Sequence, residues 1–174
     1  EHAGYANKFV CGERIKKMTA CKRTVNYDDA LLKRRELIHY AMRTSTHFSL
    51  LVRLDRPYRQ EPPIYRYCEE LHPFEIRRFY EEKDRPVRIL SRGKHQIMIQ
   101  YRCCRASKEL LLAISELLLT GNDETPEDLC FYRTKKPWLV SVTHEKLMFL
   151  FDETDDDIAF LNQNAIAYGR LRRD

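Results

Sequence analysis

Ser107 to Thr120 restricts the architecture more than any other segment, because eight of its fourteen positions are Leu, Ile or Ala. Such a helix is apolar around most of its circumference, so it predicts a central, buried element rather than a surface one. Ser107 can cap its start with a side-chain oxygen, and Gly121 can take the left-handed conformation that ends a helix.

The chain also contains the surfaces that could cover it. Thr46 to Leu54 alternates, with Phe48, Leu50, Val52 and Leu54 on one side and His47, Ser49, Leu51 and Arg53 on the other. That is the period of a half-buried strand. Gln96 to Cys103 puts Ile97, Ile99, Tyr101 and Cys103 on one face and predicts a hairpin with Val87 to Leu90 around Arg92-Gly93. Leu129 to Arg133 and Trp138 to His144 predict a second antiparallel pair, with Trp138, Val140 and Val142 inward. Leu147 to Phe151 is apolar throughout and fits strand or helix equally.

Helices are expected beside this sheet. Asn26 can cap one, followed by Asp28 and Asp29 at the positive dipole end, with Leu31, Ile38, Ala41 and Met42 on one face. Thr154 can cap another whose first turn is Asp155, Asp156 and Asp157, with Ile158, Leu161 and Ala165 inward. Pro73 suits the first turn of a short helix to about Lys83 that gathers Ile76, Phe79 and Tyr80. Thr125 to Asp128 resembles one capped helical turn. The sum is an α+β fold: an antiparallel sheet of about five strands, one central buried helix (107–120) and two or three flanking helices.

A chain of 174 residues is most economically one domain. Residues 1–25 are expected to be a basic, partly packed arm, residues 26–168 the α+β domain, and residues 169–174 a short basic tail. The longest apolar runs, Leu110 to Ile114 and Leu147 to Phe151, are far below the ~20 residues of a membrane helix. Cys103 and Cys130 lie inside apolar segments, where a free thiol acts as a small hydrophobe. A soluble protein of the reducing cytoplasm is therefore expected.

Charge is unevenly distributed. Residues 1–110 hold 24 Lys and Arg against 14 Asp and Glu, whereas residues 111–174 hold 7 against 12. The acids cluster at Asp123, Glu124, Glu127 and Asp128, and again from Asp152 to Asp157. Exposed like charges reinforce one another within a Debye length of ~8 Å, so this division predicts a polarised surface.

Motifs for catalysis are scarce. Six cysteines and six histidines include no Cys-x₂₋₄-Cys or His-x₃₋₅-His pair for zinc, and His144-Glu145 lacks the second histidine of a metalloprotease helix. The acids from Asp152 to Asp157 fail the EF-hand spacing and are better explained as helix-start carboxylates. No metal and no cofactor are expected. Cys104 with His95 or His144 is the one nucleophile pairing worth naming, since a thiolate needs a nearby cation.

Interleaved arginine and tyrosine remain. Arg53, Arg56, Tyr58 and Arg59, then Tyr65, Arg66 and Tyr67, stand in a proline-rich, loop-like stretch, and Arg77, Arg78, Phe79 and Tyr80 repeat the pattern. Such groups anchor protein interfaces, and they also bind phosphates and stack on bases. The first seven are the candidate binding residues. The reading is a non-catalytic binding module, such as a regulator, inhibitor or immunity-type protein, that holds an acidic protein surface. A nucleic-acid binder using residues 1–110 and an enzyme with a dispersed site are the alternatives, and no membrane contact is expected.

Overall fold

The computed structural model describes residues 21–53, 69–87, 96–121 and 126–170. They form one antiparallel sheet of eight strands with helices packed on it, an α+β arrangement. In chain order the strands are β1 (Cys21–Val25), β2 (His47–Arg53), β3 (Glu75–Phe79), β4 (Gln96–Arg102), β5 (Glu127–Arg133), β6 (Lys136–Val142), β7 (Leu147–Phe151) and β8 (Tyr168–Arg170). The helices are α1 (Tyr27–Leu32), α2 (Arg34–Thr44), α3 (Arg105–Thr120) and α4 (Asp155–Gln163).

Spatially the sheet runs β3-β4-β2-β5-β6-β7-β1-β8. The helices serve as its crossovers: α1 and α2 carry the chain from β1 to β2, α3 from β4 to β5, and α4 from β7 to β8. They share one core with one face of the sheet, where Leu37, Ile38, Leu111, Leu118 and Leu161 join Phe48, Leu50, Ile99, Phe131 and Leu150.

Several local signals hold. Asn26 accepts from the Asp29 amide at 3.0 Å, and Thr154 caps α4 with Asp157 closing the box. The helix begun at Asn26 breaks at Lys33 into α1 and α2. Gly121 ends α3 at φ 67°. A Cβ there would stand 2.8 Å from Thr143 Cγ2, so both conformation and space require glycine.

Other expectations are corrected. The sheet has eight strands, not about five, because β1 and β8 are too short to show a period and β3 carries a helical one. Residues 21–25, assigned to the arm, form β1 between β7 and β8. The expected helix after Pro73 is a 3-10 turn, His72–Phe74, followed by edge strand β3, whose ladder with β4 outweighs a segment too short to nucleate a helix. Ile76 and Tyr80 are consequently exposed, and only Phe79 is buried.

Glu127 and Asp128 begin β5 rather than a helical turn. Ser107 lies three residues inside α3, whose N-cap is Cys104. Leu117 and Ala113 reach solvent, so α3 is buried on one side only. Ala165 lies past the end of α4 and is exposed. Trp138 belongs to the helix-side core, whereas Val140 and Val142 face the other way. The expected strand at Val87 to Leu90 falls largely outside the described residues.

Strand β2 is not half-buried. Ser49 and Leu51, assigned to the outward side, are as inaccessible as Phe48 and Leu50. Leu51, Met98, Cys130, Val140 and Phe149 make a second cluster on the face away from the helices. Within it Tyr132 and Ser49 share a hydrogen bond of 2.9 Å, which satisfies both hydroxyls where an unmade bond would cost about 1–3 kcal/mol. Among the described residues no helix is long and apolar enough to cross a membrane.

Candidate functional site

Among the described residues, some charges that lie far apart along the sequence meet in space. Arg23 meets Glu153 at 2.7 Å and Arg34 meets Glu116 at 2.8 Å, so bases of the first stretch pair with acids of the second. Glu127, Asp128 and Asp157 are buried rather than displayed. Arg53 ends β2 opposite Gln96. Arg56, Tyr58, Arg59, Tyr65, Arg66 and Tyr67 lie outside the described residues. Arg78 binds Glu75 through Nε at 2.6 Å and Nη2 at 2.8 Å, which takes it out of the cationic surface.

A different cationic site emerges where α2, the start of α3 and α4 meet. They enclose a cleft of about 660 Å³, within the ~300–1,000 Å³ of ligand clefts. Glu36, His39, Tyr40 and Arg43 recur at helical spacing along α2 and line one wall. Arg105 and Lys108, three apart at the start of α3, line the other, while Phe160 of α4 closes the floor.

The floor is rigid. Tyr40 stacks on Phe160 with centroids 4.1 Å apart, and its hydroxyl donates to Asp157 at 2.8 Å. Burial, the Asp157 hydrogen bond and the Asp157 charge push the Tyr40 phenol up to about 12. Asp157 also accepts two hydrogen bonds from Arg133, at 2.7 and 2.5 Å. Arg133 in turn lies 4.0 Å from the Trp138 ring centroid, a cation-π contact. Burial opposes the charge of Asp157, but Arg133, the Thr154 amide and Tyr40 outweigh it and hold the carboxyl below its ordinary range.

The rim is open. Arg43 extends over the Tyr40 ring at 5.6 Å, and among the described residues neither Arg43 nor Arg105 takes part in an ion pair. Among the described residues Lys108 pairs with its neighbour Glu109 alone, at 3.8 Å. An exposed contact of that length contributes little, about 0–1 kcal/mol.

Cys104 lies in this cleft as the N-cap of α3. Burial opposes its thiolate, yet the Ser107 hydroxyl, the amides of Ser107 and Ala106 and the charge of Arg102 together bring the thiol below its ordinary range. These amides are donors that a helix start leaves unsatisfied. Cys103, one residue earlier, packs against the core, and burial followed by the nearby Cys104 pushes its thiol up to about 12. Burial likewise raises Cys130.

Iodoacetamide is therefore expected to label Cys104 first among these three, with a rate that rises at lower pH than for an ordinary thiol. Peptide mapping of a pH series reads the order, and equal labelling of Cys104 and Cys103 would refute it.

Of the partners considered for Cys104, His95 lies outside the described residues and His144 does not line the cleft; the imidazole that does is His39. The spacing of Glu36, His39, Tyr40 and Arg43 was a visible signal for one wall. Nothing local placed Arg105 and Lys108 opposite it. Compared with protein-family models, with curated proteins and with solved structures, the chain shows no detectable similarity to any of them.

Proposed function

We propose that this is a non-catalytic binding module that holds an acidic segment of another protein in the cleft between α2 and α3. The observation that carries the reading is the joining of rim cations that have no ion-pair partner among the described residues, Arg43 and Arg105, to an apolar floor made by Tyr40 and Phe160. A carboxylate-bearing peptide with one aromatic or aliphatic side chain matches that combination. Its charges would meet the rim and speed encounter, and its apolar group would cover the floor. The start of α3 adds amide dipoles of the same sign. This reading moves the proposed contact from the Arg53 to Tyr67 stretch to α2 and α3.

The test uses a fluorescent Asp/Glu-rich peptide containing one Phe, titrated by anisotropy at two salt concentrations. The expected result is saturable, salt-weakened binding that falls roughly tenfold, or about 1.4 kcal/mol, in Arg43→Glu and again in Arg105→Glu. Binding untouched by both variants would overturn the assignment. So would a salt-steep gel shift with nucleic acid accompanied by no peptide binding.

A further inference from the structure

We propose that Glu127, Asp128 and His144 form a site for one divalent first-row transition ion, with Zn²⁺ the ion that suits their donors best. A carboxylate oxygen from each acid and a ring nitrogen of His144 lie within 4.8 Å of one another. Both acids are withdrawn from water, with exposures of 8% for Glu127 and 0% for Asp128, whereas His144 is exposed.

The backbone explains why two consecutive strand residues converge. Alternation would send their side chains to opposite faces. Asp128 has φ 57°, and the β2–β5 register shifts between Ser49 and Leu51, so β5 begins irregularly. His144 arrives on the 3-10 turn Thr143–Glu145 that follows β6. Thr143 ties this turn to the carboxylates: its amide donates to Asp128 Oδ1 at 2.9 Å, and its hydroxyl accepts from the Asp128 amide at 3.4 Å. The same hydroxyl donates to the Leu118 carbonyl at 3.2 Å, fixing the group against the end of α3.

The donor chemistry selects the ion. Adjacent carboxylates repel, and a divalent cation between them turns that repulsion into attraction. An imidazole nitrogen beside two carboxylate oxygens suits Zn²⁺ and related transition ions, whereas Ca²⁺ takes six to eight oxygens and Mg²⁺ keeps several waters. Glu145 Oε1 lies 3.6 Å from His144 Nε2, which adds a further negative charge beside the site. Three protein ligands leave a position for water on the exposed side, so the ion should exchange. The site lies at the far end of α3 from Cys104, about 24 Å along the helix axis at 1.5 Å per residue. It is independent of the cleft, and either assignment can fail alone.

The experiment is a titration of the chelator-treated full chain with Co²⁺, followed by displacement with Zn²⁺. The expected result is one equivalent of Co²⁺ with visible d–d bands, no near-ultraviolet thiolate charge-transfer band, and displacement by Zn²⁺. His144→Ala, a change at an exposed residue, should weaken binding by more than the ~10-fold that loss of an outer partner costs. Glu127→Gln should do the same with the fold intact by circular dichroism; if it unfolds, His144→Ala decides. Absence of binding, a thiolate band, unchanged affinity in His144→Ala, or tighter binding of Mg²⁺ than Zn²⁺ would each overturn the proposal.

Discussion

Asp157→Ala is expected to lower the unfolding free energy by about 3–5 kcal/mol, because it removes one partner of a largely buried ion pair. Asp157 is 1% exposed, and its two oxygens receive Arg133, the Tyr40 hydroxyl and both the amide and hydroxyl of Thr154. Truncation would leave the guanidinium without its counter-charge against Trp138, and it would open the capping box of α4. Because Tyr40 and Phe160 form the cleft floor, the same change should also weaken the peptide binding proposed for that cleft. Urea titration reads the stability, and a loss below about 1 kcal/mol, the range of exposed pairs, would contradict the buried-pair account.

The pH dependence follows from the same group. The folded Asp157 carboxyl lies below its ordinary value, so its contribution is complete above the unfolded pKa and is lost as pH falls through the folded one. Tyr40 behaves oppositely: its folded value of about 12 exceeds the ordinary ~10. Its stabilisation is present below the ordinary value and is lost as pH rises from there through the folded one.

Phe48→Ala should cost about 3–5 kcal/mol and Leu51→Ala about 2–5 kcal/mol, as large-to-small changes in packed cores do. Both residues have zero exposure on β2, but only Phe48 faces the helices, where it contacts Tyr101 and Phe131 at centroid distances of 5.3 and 6.1 Å. Leu51 belongs to the cluster on the other face. The pair therefore tests burial on both sides of the sheet. A near-neutral Leu51→Ala beside a costly Phe48→Ala would show that the second face is not packed.

Alternation in β2 revealed the two sides of the strand but misjudged the outer one. The period of two distinguishes faces; it does not say whether each face is covered. Asn26, Thr154 and Gly121 were readable because a cap acts within about four residues of its own chain. The α3 segment was equally plain, although its N-cap moved from Ser107 to Cys104. β3 misled because Ile76, Phe79 and Tyr80 have helical spacing, and only its neighbour β4 selects the extended form.

The sequence by itself determined the α+β class, the positions of the long helix and several strands, and the chemical types of residue available for binding. Tertiary structure alone decided which of them meet. The cleft needs α2, α3 and α4 to converge, and the carboxylate–imidazole group joins β5 to a turn beyond β6. Periodicity and capping are short-range interactions written into neighbouring residues. The meeting of distant segments depends instead on the long-range packing of the whole core.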